Sequence, residues 1–92
     1  MRLAAAALSL ALAACAEREP TVIDGSSAQA FERTAAQARR EIPDADRLVF
    51  DRALRTIGGR RHSADPEALA RVTFDGMTAE QVVADQKAHE SQ

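Results

Sequence analysis

Cys15 is the only cysteine in a chain of 92 residues, and that restricts the fold more than any other feature. No intrachain disulfide is available. Small exported domains commonly use such bridges, because one core of this size supplies little surplus stability. Zinc offers no substitute: neither His62 nor His89 has a second ligand at metal spacing. No cofactor is expected. The fold must rest on packing between helices, with the membrane surface or a partner as the further support open to it.

The position of that cysteine is as informative as its solitude. Leu3 to Ala14 is an apolar run of twelve residues behind Met1-Arg2, with Ser9 its only polar member. A membrane-spanning helix needs about 20 apolar residues. A shorter run with a basic start and a small-residue end reads as a secretory signal. The run closes on Leu12-Ala13-Ala14-Cys15. These four residues resemble the lipobox of bacterial lipoprotein signal peptides. The resemblance implies cleavage between Ala14 and Cys15 and lipidation of the Cys15 thiol. It also implies residues 1–14 as leader, 15–20 as lipidated cysteine and tether, and 21–92 as one small domain. One acyl chain binds a bilayer only marginally, so stable attachment needs more than one. Ala16 stands where an Asp tends to retain such lipoproteins in the inner membrane, which favours the periplasmic face of an outer membrane.

Twelve Lys and Arg against fourteen Asp and Glu leave a net charge of −2. Loss of Arg2 with the leader makes the remainder more negative still. That balance exerts no long-range pull on nucleic acid. Three Phe with no Tyr or Trp provide no stacking surface for bases or sugars.

The periodicity predicts a mainly α domain. Ala28, Phe31, Ala35, Ala38 and Ile42 fall within an arc of about 80° at 100° per residue, predicting a helix over 27–41. Ser26-x-x-Gln29 has capping-box spacing at its start. Pro43 ends it and Asp44 is placed to cap the next. Val49, Phe50, Ala53, Leu54 and Ile57 then form a stripe about 140° wide. Arg47, Asp51 and Arg55 stand outside it as a surface charge ladder. Gly58-Gly59 supplies a left-handed stop. The short break predicts an antiparallel helical hairpin. Asp65-Pro66-Glu67 opens one or two turns through Ala70. Thr78-x-x-Gln81 is a second capping box, with Met77 and Val82 as a staple. Its helix buries Ala79, Val82, Val83 and Gln86, and the pattern fades past Lys87. Residues 21–23 and 72–74 are short and β-prone, and a two-stranded ribbon between them is compatible with the pattern.

The starts of the first and last helices echo each other. Ile23-Asp24-Gly25-Ser26-Ser27-Ala28 parallels Phe74-Asp75-Gly76-Met77-Thr78-Ala79. Asp-Gly followed by a hydroxyl cap is a common way into a helix, which favours that reading of both copies over an internal duplication. Together these marks resemble a family of small bacterial lipoproteins of unassigned activity. The resemblance rests on Ile23-Asp24-Gly25-Ser26, on Phe50-Asp51-Arg52-Ala53-Leu54, and on Asp75-Gly76-Met77-Thr78-Ala79-Glu80. It implies identity as an envelope lipoprotein and no mechanism.

Little remains to serve as catalytic residues. Ser26 and Ser27 are caps, and none of the serines lies in a nucleophile elbow. Asp44 and Asp46 suit the positive end of a helix dipole. Asp24 and Asp75 are turn residues, and would form a carboxylate pair only if their turns met. Arg52, Arg55, Arg60, Arg61 and Arg71 are the best binding-site residues, a candidate patch for an anionic partner, since guanidinium recognises carboxylate and phosphate bidentately. The expectation is a non-enzymatic interaction or accessory module, held to the membrane by its lipid and facing an envelope protein. An enzyme inhibitor or modulator is the alternative, and a small hydrolase ranks last.

Overall fold

A computed structural model describes residues 19–57 and 64–91. The leader, Cys15, Gly58-Gly59, Arg60, Arg61, His62 and Ser63 lie outside the described residues. Four helices make up a small helical domain: α1 (Ala28–Arg40), α2 (Asp44–Thr56), α3 (Pro66–Phe74) and α4 (Ala79–Glu90).

The start of α1 differs by one residue from the capping-box spacing. Ser27 is the N-cap, and its hydroxyl accepts from the Ala30 N–H at 3.1 Å. Ser26 instead belongs to the preceding turn, where its N–H donates to Asp24 Oδ1 at 2.9 Å. The buried face is Ala30, Ala35 and Ala38, continued by Ile42; Phe31 is half-buried and Ala28 is exposed. At the far end, Arg47 reaches back from α2 and donates to the Arg39 and Arg40 carbonyls at 3.0 and 2.9 Å. The Arg39 carbonyl also accepts the Ile42 N–H at a long 3.4 Å, and a cation from the next element adds to this weak capping.

Asp44 does not cap α2. The N-cap is Pro43, which has no side chain to offer a hydrogen bond, and the Asp44 carboxylate pairs with Arg47 at 2.9 Å instead. Val49, Phe50, Ala53 and Ile57 are buried with Leu54 packed beside them, as the stripe predicts. The helix closes on a left-handed residue, Ile57 at φ 53° and ψ 51°, ahead of the two glycines. A β-branched residue there is strained. Ile57 is 7 % exposed, and burying its side chain offsets the strain.

The largest departure is α3. Asp65 caps it, Pro66 stands at its first position, and it runs on to Phe74 rather than stopping at Ala70. Val72-Thr73-Phe74 is its last turn, so no ribbon forms between 21–23 and 72–74. Phe74 and Ala70 lie one turn apart and are both buried, and that packing overrides a weak strand preference. The first extended segment pairs one step later, in an isolated antiparallel bridge between Val22 and Thr78.

In α4 the Thr78–Gln81 capping box is complete. Ala79, Val82, Val83 and Gln86 are buried as expected. The helix persists to Glu90 because Glu90 is held by Arg52 at 2.7 and 3.0 Å and by Gln86 at 3.0 Å.

The pieces share one core, in which Phe50, Phe74, Ile23 and Val82 are fully buried. α2 packs chiefly against α4, while α1 touches each of the other three. The alanines of α1 permit that close approach. Two Asp-Gly turns lock the sequence ends of the domain together. Ile23 donates to the Met77 carbonyl and Gly76 to the Ile23 carbonyl, both at 2.8 Å. Gly25 donates to Asp75 Oδ1 at 2.7 Å. Gly76 adopts φ 83°, and a Cβ on Gly25 would run into the Arg71 carbonyl. Among the described residues no helix is long and apolar enough to cross a membrane.

Candidate interaction groove

The arginines named in the sequence are split by the fold. Arg52 faces α4, where its guanidinium grips Glu90 with two parallel hydrogen bonds. This fork–fork geometry is the strongest form of the pair. It draws the Glu90 carboxyl down to about 2, with Gln86 contributing a further hydrogen bond. Arg52 is thus a brace between α2 and α4 and contributes nothing to an open patch. Arg39 and Asp51 make a similar fork between α1 and α2, at 2.8 and 2.9 Å. Their hydrogen bonds push the Asp51 carboxyl below its usual range. The ladder of Arg47, Asp51 and Arg55 is therefore not a surface feature of α2 alone. Two of its three members reach across to α1.

Arg55 and Arg71 do come together. They stand on the rim of a groove of about 330 Å³ between α1, the end of α2 and α3. Its floor is apolar: Ala28, Phe31, Leu54, Ile57, Pro66 and Ala70. Glu32 and Glu67 complete the rim. The size and the apolar floor with a few polar groups around it are those of a binding pocket. Arg60 and Arg61 lie outside the described residues. A second concavity, about 480 Å³, lies between Pro20, the end of α1 and the start of α4.

The other candidate residues have structural partners. The Asp24 and Asp75 turns do meet, but each carboxylate is occupied by a backbone N–H: Ser26 on Asp24 and Gly25 on Asp75. The Ser26 hydrogen bonds hold the Asp24 carboxyl below its usual range. Asp46 faces Lys87 at 3.4 Å. His89 lies 3.8 Å from Asp85 one turn earlier on α4. Ser91 donates to the Ala88 carbonyl at the helix end. Among the described residues no three His, Cys, Asp or Glu side chains gather as a metal site.

Sequence reasoning missed the groove itself. Its floor draws on three helices, and Ala28 and Pro66 carry no sign that they share a cavity. The partial signal was Arg55 and Arg71, basic residues beside apolar stripes. Comparison of the chain with protein families, curated proteins and solved structures finds no match.

Proposed function

We propose that this chain is a bacterial envelope lipoprotein of the small lipoprotein type that its motifs resemble. Its lipid sits on Cys15, and its helical domain acts as a non-enzymatic interaction or accessory module at the periplasmic face, the outer membrane favoured. The observation that carries the location is Leu12-Ala13-Ala14-Cys15 behind a short apolar run. The groove bordered by Arg55 and Arg71 is the surface through which the module would act.

Support for a binding role comes from how the polar residues are used. Ser27, Asp65 and Thr78 cap helices, Arg47 completes the end of α1, and Asp24 and Asp75 hold turns. The groove is what remains, and it offers apolar surface and charge rather than a nucleophile next to a base.

Fractionation tests this reading. The wild-type chain should sediment with membranes after a high-salt, alkaline wash, and Cys15→Ser should appear in the soluble fraction. A wild-type chain released by that wash would contradict it. Addition of pure chain to periplasmic hydrolases separates the inhibitor reading, which requires a loss of hydrolase activity.

A further inference from the structure

We propose that the domain stands on its tether end. The turn between α1 and α2 and the concavity beside Pro20 rest on zwitterionic lipid headgroups, and the groove is held at the opposite end, clear of the bilayer. The inference rests on reading Cys15 as lipidated, and it names the surface that faces the membrane.

The chain enters the domain at a fixed point. The Thr21 N–H donates to Glu41 Oε1 at 2.8 Å, and the Thr21 hydroxyl donates to Glu41 Oε2 at 2.6 Å. From there the chain runs back along α1. The Asp24 N–H donates to the Thr34 hydroxyl at 2.9 Å, and Ser27 caps the helix. The point of entry is therefore the closing end of α1, where residues 41–43 turn into α2. The groove uses the other end, with Ala28, Phe31 and Glu32 of α1 and Leu54, Arg55 and Ile57 at the close of α2. Phe31 and Glu41 are ten residues apart, about 15 Å along a helix axis.

Six residue steps separate Cys15 from Thr21, and at full stretch they reach about 20 Å. Seating the groove on the bilayer would lift Thr21 by about 15 Å. Most of the tether would then be drawn out straight, at a cost in chain entropy. Seating the Thr21 end leaves the tether slack. The chemistry of that end also suits headgroups. Pro20, Arg40, Glu41, Ile42, Ala79 and Glu80 line the concavity there, and Asp44 and Arg47 adjoin it on the first turn of α2. Guanidinium and carboxylate stand side by side, as phosphate and ammonium do in a zwitterionic lipid. Basic residues are not in excess, so anionic lipid gains no added hold. The groove is left to the aqueous compartment, and its partner comes from there rather than from the bilayer.

The test uses the full lipidated chain in phosphatidylcholine vesicles that carry a fluorescence-quenching nickel chelate on some headgroups. The thioether at Cys15 leaves an introduced cysteine as the free thiol for a fluorophore. Ala45→Cys places it at the tether end and Gln29→Cys beside the groove, both at exposed positions. Fluorescence should be lost at position 45 and retained at position 29. Glu41→Ala removes the acceptor of both Thr21 hydrogen bonds. In a variant that keeps its helical circular dichroism, the domain should swing and the two positions should be quenched alike. Equal losses at 45 and 29 in the parent chain, or a greater loss at 29, would overturn the seating and leave the anchor standing. A folded Glu41→Ala chain that quenches as the parent does would overturn the role of the Thr21–Glu41 contact. Loss at position 45 that appears only when anionic lipid is added would overturn the match to zwitterionic headgroups. A chain that fails to float with the vesicles would remove the anchor, and this inference with it.

Discussion

Gly25 donates its backbone N–H to the Asp75 carboxylate at 2.7 Å across fifty residues of sequence. Each belongs to an Asp-Gly turn that leads into a capped helix, and the two turns clasp each other through the Ile23–Met77 and Gly76–Ile23 hydrogen bonds. The clasp ties the start of α1 to the start of α4. Asp75→Ala removes one acceptor at an exposed site, where water replaces part of what is lost, and should cost about 1 kcal/mol. Gly25→Ala should cost about 1–3 kcal/mol, because the added carbon meets the Arg71 carbonyl, which is backbone and cannot swing aside. Urea unfolding of both variants checks this, and the glycine variant should have the lower midpoint.

Phe50 and Phe74 are each 1 % exposed and sit in the same core. Phe50→Ala should cost about 3–5 kcal/mol. A domain this small has little more than that in total, so the expected result is loss of helical circular dichroism at room temperature. A fully helical variant would show that the core tolerates the cavity.

Thr78 and Gln81 satisfy each other's backbone N–H groups at the start of α4. Thr78→Ala should lower stability by about 1 kcal/mol, and Thr78→Ser should retain most of it. The thermal midpoints of the two variants distinguish loss of the cap from loss of the methyl group.

The Arg52–Glu90 brace predicts an acid response. Hydrogen bonds from Arg52, and then from Gln86, hold the Glu90 carboxyl at about 2, against an ordinary value of 4.5. The folded value lies below the unfolded one. Its contribution is therefore complete above pH 4.5 and disappears as the pH falls to about 2. The stability difference between wild type and Glu90→Gln should be largest at neutral pH and close toward pH 2. A difference constant across that range would mean that the brace does not depend on the charge of Glu90.

Where stabilising contacts are local, they were legible in the sequence. Thr78 and Gln81 are three residues apart, and Val82, Val83 and Gln86 follow the helical period, so the start and the buried side of α4 could be read directly. The α2 stripe was legible for the same reason. Local preference misled where distant packing wins. Val72-Thr73-Phe74 is β-prone, yet it completes α3 because Phe74 fills the core beside Ala70. Partners far apart in sequence were hidden. Nothing near Arg52 announces Glu90, so Arg52 looked free to bind an anion. The Asp-Gly echo was visible as a pattern, but only the fold shows that its two copies touch. The groove was the least legible feature, since its floor exists only once α1, α2 and α3 have met.

The most direct measurement is the mass of the mature protein taken from cells grown with labelled fatty acid. Wild-type chain should lack residues 1–14 and carry label on Cys15, and a Cys15→Ser chain should carry none. Wild type as free of label as the serine variant would contradict the central claim, that a lipid on Cys15 holds this helical domain at the membrane.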